Sequence, residues 1–226
     1  MKHVHFLSLI IFTCVACKSN SQQKKAIIPS EDPLSKKEWI SKIEKDTNEM
    51  KSTWLSSFDP KGFSKKEYID MGLNVFLDGE NPSNMDVIPI VNYRIPYQLF
   101  MNWNGDDPIE SIMKLSQNTV DCYIANGNDI KCMVNLTLID NKWKANEWGP
   151  MDKSTSAILS SIYFEKKEST INIYVETSTI AKPYLKIYIA YKEKGQYMRV
   201  QNFGKTSPLI KDLIEFQRTL KSESTW

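Results

Sequence analysis

The sequence predicts an α+β fold with an N-terminal helical pair, an antiparallel β-sheet containing a disulfide-linked hairpin, and a C-terminal helix. Three observations predict this class. Apolar residues recur at helical spacing in two early segments and in one at the end of the chain. Alternating apolar and polar residues fill the region between them. Cysteines lie in both arms of one alternating pair, around an Asn-Gly turn.

The first 16 residues have the pattern of a secretory signal peptide. A basic start at Lys2 precedes an apolar run, which ends at small residues before Lys18. The run holds roughly a dozen residues, fewer than the roughly 20 that span a bilayer. We therefore expect residues 1–16 to be a cleaved leader of an exported protein and not a stable membrane helix.

Val15, Ala16 and Cys17 resemble the lipobox of bacterial lipoproteins. In that family a small residue precedes a cysteine whose thiol is diacylated, and this cysteine becomes the new N-terminus. The resemblance implies acyl chains such as palmitate on Cys17 and an anchor in the cell envelope, because two chains give stable membrane binding. Lys18 stands where an inner-membrane retention signal often has Asp, which favours the outer membrane. Ordinary cleavage near Ala16, with Cys17 left as a thiol, is the alternative.

The mature chain is predicted to be a tether followed by one domain. Residues 17–34 are mostly polar, with two prolines and few apolar residues, a composition that cannot bury a core. Residues 35–226 then form a single globular α+β domain. A length of about 190 residues is enough for a sizeable core.

Removal of the leader also removes both histidines, His3 and His5, so the mature chain has none. This excludes Ser-His-Asp and Cys-His catalysis, histidine metal sites and a histidine pH switch. One of the 29 lysines and arginines, Lys2, leaves with the leader, so 28 remain against 27 acidic residues. Such a near-neutral chain has no electrostatic footprint for nucleic acid. We expect neither a metal nor a cofactor.

Two similar hexapeptides, 35–40 and 64–69, each predict the start of a helix. In both, Ser at the cap and Glu three residues later form a capping box. Gly79 ends the second helical pattern. At the end of the chain, Ser207 and Pro208 open a closing helix with an apolar stripe.

The middle of the chain is predicted to be mostly strands. Segment 86–103 is mostly extended, with apolar and polar residues that alternate, although Pro89 and Pro96 interrupt it. Residues 151–164 fit either a helix or a strand. The three clearest strands come late in the chain: 171–177, 184–192 and 196–203.

The two cysteines beyond Cys17 fall in a predicted hairpin. With a three-residue loop at 126–128, Cys122 faces Cys132 on an apolar face. In an oxidising compartment this indicates a disulfide, which contributes roughly 2.5 to 3 kcal/mol in the chain-entropy model. Two buried thiols are the alternative. Neither cysteine has the CxxC spacing or the basic neighbours of an activated thiol.

The late strands predict a tyrosine-rich sheet face. Alternation places four tyrosines and two cations together: Tyr174, Tyr184, Tyr188, Tyr197, Lys186 and Arg199. Such a face could receive a ligand ring, a glycan or a partner protein. The alternatives are that a helix or loop covers this face, or that the tyrosines form ordinary cross-strand pairs.

Carboxylates are the acid and base groups that remain for catalysis. Asp106 and Glu147 lie near tryptophans in the sequence, and glycoside hydrolysis requires a carboxylate pair near aromatic platforms. Two hypotheses follow. The first is a non-enzymatic binding or assembly module of the envelope, with a protein or glycan partner; the second is a carboxylate-dependent envelope hydrolase acting on glycans. The lack of histidine and of a nucleophile motif favours the first.

Overall fold

The computed structural model describes residues 34–57, 64, 66, 81–178, 185–201 and 205–223. Helices and strands of a mixed α+β fold make up most of these described residues. Its four helices are α1 (Lys36–Ser57), α2 (Tyr97–Asn102), α3 (Lys153–Ser160) and α4 (Leu209–Glu223). Its eight strands are β1 (Asp86–Ile95), β2 (Lys114–Asn126), β3 (Asp129–Ile139), β4 (Lys142–Pro150), β5 (Thr170–Glu176), β6 (Leu185–Glu193), β7 (Gln196–Gln201) and β8 (Lys205–Pro208). These elements belong to one compact unit, Pro33–Trp226.

The eight strands form one sheet in the order β4-β3-β2-β1-β5-β6-β7-β8. All neighbours are antiparallel except β1 and β5, which pair in parallel. The chain therefore builds two antiparallel ribbons, β1–β4 and β5–β8, and joins them along the β1–β5 pair. A parallel pair needs a crossover connection, and α3 lies on that crossover. The predicted α+β class and the mostly antiparallel sheet are confirmed.

Helices cover the two sides of the sheet unequally. On one side, which we call the three-helix face, α1 packs over β1–β4, and α2 and α4 pack over β1 and β5–β7. On the opposite side, which we call the α3 face, α3 and the π-helical turn Ser161–Glu165 pack over Tyr123, Ile130 and Tyr191. This arrangement leaves part of the α3 face without a helix above it.

Helix α1 begins with the predicted capping box. The Ser35 N–H donates to Glu38 Oε2 at 2.8 Å, and the Glu38 N–H donates to Ser35 Oγ at 3.3 Å. The buried side of α1 includes Trp39, Met50 and Trp54. The second predicted helix, from Ser64 to Gly79, lies almost entirely outside the described residues.

Helix α2 replaces the end of the strand predicted at 86–103. Pro96 ends β1 and occupies the N-cap of α2, which turns Phe100 into the core. The Phe100 ring lies 5.9 Å from that of Phe216 on α4. From α4, Gln217 Nε2 donates to the backbone oxygens of Phe100 and Trp103, which satisfies carbonyls at the end of α2. Six residues are too few to show their period, so packing against α4 decided the structure.

The hairpin is present, but its predicted register is wrong. The loop has two residues, Gly127 and Asn128, and the strands pair from Asn126 and Asp129 outward. Gly127 has a φ of +57°, a conformation that glycine adopts at little cost. The register then shifts at a bulge, which leaves Lys131 without a backbone register partner on β2.

The predicted disulfide is therefore wrong. The shifted register places Cys122 opposite Val134 and Cys132 opposite Ile124. The two cysteines are diagonal neighbours on the three-helix face, and both are buried free thiols under α1. Burial raises the pKa of Cys132 to about 12, and the pKa of Cys122 is also raised, first by burial. Both thiols are therefore held in their neutral form.

Two further elements settle open or local predictions. Residues 153–160 are helical, which resolves the ambiguity of segment 151–164 in favour of a helix. The closing helix is confirmed as α4, with Leu209 and Leu213 fully buried. None of the helices within the described residues combines the length and apolar character needed to cross a membrane.

Candidate ligand-binding site

The structure divides the predicted tyrosine face between the two sides of the sheet. Tyr188 pairs with Ile173 and Lys186 pairs with Val175, so these residues share the three-helix face. Tyr174 pairs with Ile187 and lies on the α3 face. Tyr197 and Arg199 lie on the same side as Tyr188, and Tyr184 lies outside the described residues. The predicted common face is wrong because alternation within each strand does not fix the register between strands.

Helix α4 covers the tyrosine on the three-helix face. Tyr188 is 1% exposed, and its pKa is raised by burial. The Arg199 guanidinium lies 4.8 Å from the Tyr188 ring and 3.2 Å from a carboxylate oxygen of Asp212 on α4. Lys186 Nζ lies 4.0 Å from the ring of Phe216 on the same helix. These cation–π and ionic contacts hold α4 against the sheet, so this cluster is part of the packed interior.

The two candidate catalytic carboxylates lie on separate elements. Asp106 follows Gly105, at which an added Cβ would lie 2.9 Å from Ile214 Cδ1 of α4. Helix α4 in turn packs on the β7 and β8 side of the sheet. Glu147 lies in β4, the opposite edge strand, where its backbone pairs with Asn135, and its side chain lies outside the described part of the structure. The described geometry does not bring Asp106 and Glu147 together.

The uncovered part of the α3 face contains an open pocket of about 550 Å³, which we call the Asp121 pocket. Strands β1 to β6 all contribute to its lining. The lining includes Arg94, Asp121, Asn135, Asn146, Tyr174 and Ile187. Helix α3 covers the other end of the same face, so the pocket begins where that helical cover stops.

Asp121 is the fully buried carboxylate at the floor of this pocket. Its Oδ1 accepts a hydrogen bond from Asn135 Nδ2 at 2.7 Å. Its Oδ2 accepts from Asn172 Nδ2 at 2.7 Å and from the Tyr174 hydroxyl. All three donors are neutral, and no lysine or arginine of the described chain forms an ion pair with Asp121. The observed donors to Asp121 are therefore dipoles and not cations.

The charge of Asp121 affects its neighbours along β2. Burial raises the pKa of Cys122 and of Tyr123, and the negative charge of Asp121 adds to the rise in both. Cys122 points to the three-helix face, whereas Tyr123 points to the α3 face, as Asp121 does. The carboxylate therefore favours the neutral form of the groups around it on both sides of the sheet.

Two asparagines beside Asp121 have unpaired amide atoms. Asn92 and Asn172 are register partners on β1 and β5, and both are fully buried. Strand β1 lies between β2 and β5, so the backbones of β2 and β5 are about 9 to 10 Å apart. The hydrogen bond from Asn172 on β5 to Asp121 on β2 therefore crosses over β1 beside Asn92. Among the described residues, neither amide atom of Asn92 has a partner, and Asn172 Oδ1 has none either. Buried polar groups are normally paired, so these amide atoms are an exception among the described residues.

A second layer of contacts fixes the orientation of the floor. Asn146 Nδ2 donates to Asn135 Oδ1 at 3.0 Å, which directs the Asn135 amide nitrogen to Asp121. At the rim, Arg94 Nε lies 3.7 Å from Glu176 Oε1, so the charge of Arg94 is balanced. The wall near β6 is apolar, and Ile187 is 46% exposed there. A rigid polar floor beneath a partly apolar wall is typical of ligand pockets.

Of the predicted binding residues, Tyr174 lines this pocket, whereas Asp121 and Asn172 were not predicted from the sequence. Asp121 lies within Val120–Ile124, an otherwise apolar run, and Asn172 lies between two isoleucines. A charged or amide side chain inside a buried strand is uncommon unless it is paired, so both positions carried a signal. The sequence does not show that the two strands lie two apart in the sheet.

Comparison with known proteins does not assign this chain to a family. No family model, no curated protein and no solved structure matches the chain. The fold and the site together define a mixed α+β domain with a preformed polar pocket on one face of its sheet.

Proposed function

We propose that this protein is a lipid-anchored, non-enzymatic binding module of the bacterial cell envelope, and that it takes a small ligand in the Asp121 pocket. The observation that carries the proposal is the buried Asp121, held by three neutral donors at the floor of an open pocket of about 550 Å³. Natural pockets for small molecules fall in this size range and place a few fixed polar groups among apolar ones.

The leader and the lipobox-like sequence support the envelope anchor. Acylation of Cys17 would fix the chain to a membrane, and the sequence after it favours the outer membrane. The polar tether 17–34 would then hold the domain in the aqueous space beside that membrane. The partners of the protein in this proposal are the membrane, through the lipid, and a small ligand, through the pocket.

The pocket favours binding over hydrolysis. A glycoside hydrolase needs two carboxylates placed on either side of the scissile bond. Of the described side chains that line the pocket, Asp121 alone is a carboxylate. Its oxygens already accept three hydrogen bonds from neutral groups. The alternative of a glycan hydrolase gains no support from this arrangement.

A thermal-shift screen with a blocked pocket tests the proposal. The mature protein, purified from the membrane fraction in detergent, is screened against amines, amino acids, sugars and organic acids. Ile187→Trp is designed to narrow the pocket with neutral bulk, and Leu99→Trp is the matched control at an exposed position of α2. We expect at least one compound class to raise the melting temperature of wild type and of Leu99→Trp but not of Ile187→Trp. Equal responses in all three proteins, or none in any, would contradict a ligand site in this pocket.

A further inference from the structure

The charge of the Asp121 pocket narrows the class of ligand. Arg94 is the one described cation that lines the pocket, and Glu176 balances it at 3.7 Å. Asp121 has only neutral partners. The pocket therefore has the charge of one carboxylate, and a buried carboxylate is stabilised further by a cation.

The Asp121 carboxylate has acceptor capacity left for a charged donor. A carboxylate offers about four acceptor positions, and three of those on Asp121 are occupied. Asn172 Oδ1 and Asn92 Oδ1 are also unpaired in the described structure, but these two residues are fully buried and do not line the pocket. A primary ammonium group carries a charge of +1 and can donate one of its three N–H groups to the free position on Asp121.

Resting on the proposed function above, we propose that the Asp121 pocket binds a short aliphatic primary amine in its ammonium form. The ammonium group donates to the free acceptor position of Asp121, and its alkyl chain runs along the apolar wall that includes Ile187. The pocket volume of about 550 Å³ leaves ample room for such a chain beyond the ammonium group.

Other occupants fit these observations less well. A bare metal ion needs several charged or oxygen ligands, and no group of three or more His, Cys, Asp or Glu side chains occurs in the described residues. A water molecule or a neutral sugar could donate hydrogen bonds to Asp121, but neither would place a positive charge beside its carboxylate.

Calorimetric titration of the mature protein with n-butylamine and n-butanol at neutral pH tests the proposal. The two probes have the same chain length and differ in charge at one end. We expect butylamine to bind and butanol to bind at least about 30-fold more weakly, because a charge-assisted hydrogen bond is lost. Asp121→Asn is expected to weaken butylamine binding by a similar factor. Asp86→Asn removes a charge from an exposed position of β1 and is expected to leave the dissociation constant unchanged.

Tyr174→Phe provides a second variant that does not depend on how well Asp121→Asn folds. Loss of the Tyr174 hydroxyl frees one more acceptor position on Asp121, so butylamine is expected to bind more tightly. If Asp121 were only a structural group, this variant would lose stability and gain nothing in binding.

The possible outcomes separate the ligand class from the pocket itself. Equal affinity for butylamine and butanol, or an Asp121→Asn variant that binds as wild type does, would overturn the ammonium proposal. If calcium or sodium chloride alone raised the melting temperature through Asp121, the cation would be a metal and the proposal would be wrong. In each case, ligand binding that Ile187→Trp abolishes would still support the pocket as a binding site. If no compound bound at all, both the ammonium proposal and the proposed binding function would be wrong.

Discussion

Alkaline pH is expected to destabilise this domain through its two core thiols, because both must stay protonated in the folded state. Cys122 and Cys132 are buried under α1 on the three-helix face, and the Cys122 sulfur lies 4.0 Å from that of Met50. Burial raises the pKa of Cys132 from 9.0 to about 12, and the pKa of Cys122 is also raised. The stability of the domain is therefore compared at about pH 8 and at about pH 10.

The sign and size follow from proton linkage. The folded pKa of each thiol exceeds its unfolded value of 9.0, so the stabilisation is complete below pH 9 and is lost as pH rises from 9 toward the folded pKa. Between about pH 8 and pH 10, the unfolded state gains about 1.4 kcal/mol per thiol from ionisation. The two thiols together lower the unfolding free energy by about 3 kcal/mol.

Urea unfolding of wild type and of a Cys122→Ala, Cys132→Ala double variant, each at both pH values, isolates this effect. The double variant is less stable throughout because it loses buried volume, but tyrosines and lysines titrate equally in the two proteins. We expect the fall in unfolding free energy with pH to be about 3 kcal/mol larger in wild type. An equal fall in both proteins would show that the two thiols do not cause the pH dependence, and a thiol count of zero after unfolding without reductant would show that they are not free.

Three further predictions concern packing, capping and the anchor. Leu213→Ala is expected to lower the unfolding free energy by about 2 to 5 kcal/mol in urea, since Leu213 is fully buried, whereas Leu99→Ala on the exposed side of α2 should change it by about 0.5 kcal/mol or less. Ser35→Ala should cost about 0.5 to 2 kcal/mol in the same assay, because the capping box at α1 is lost; no change would show that the cap is not formed in solution. Intact mass of the membrane-fraction protein should show acyl chains on Cys17, and an unmodified mature N-terminus would contradict the anchor.

Local features of this fold could be predicted from the sequence. The capping box at Ser35 and Glu38 depends on residues three apart, and the apolar stripe of α4 repeats within one helix. Both are confirmed because the residues that decide them are near neighbours in the chain.

Features that depend on register could not be predicted in the same way. A two-residue loop and a bulge moved Cys132 away from Cys122, although both cysteines kept the face that alternation predicted. The pairing of β5 with β6 placed Tyr188 beside Ile173 and so separated it from Tyr174. A change of one residue in register reverses the face of a whole strand, and alternation alone does not fix it.

The Asp121 pocket depends on contacts that are still more distant in the chain. Asp121 and Asn172 are 51 residues apart, and their bond requires the parallel pairing of β1 with β5. Residues at that separation leave no joint pattern in a single sequence. Only the unusual position of each polar residue in an apolar strand was visible.

An NMR titration of the side-chain amides with n-butylamine tests the ammonium site at Asp121 most directly. The side-chain amide signals of Asn135 and Asn172 are expected to shift with one common dissociation constant, because both amides donate to the Asp121 carboxylate. The Gln201 amide, which bonds to Ser207 near α4, should not move. Unmoved Asn135 and Asn172 signals, or equal shifts of all three amides, would contradict a ligand site over Asp121.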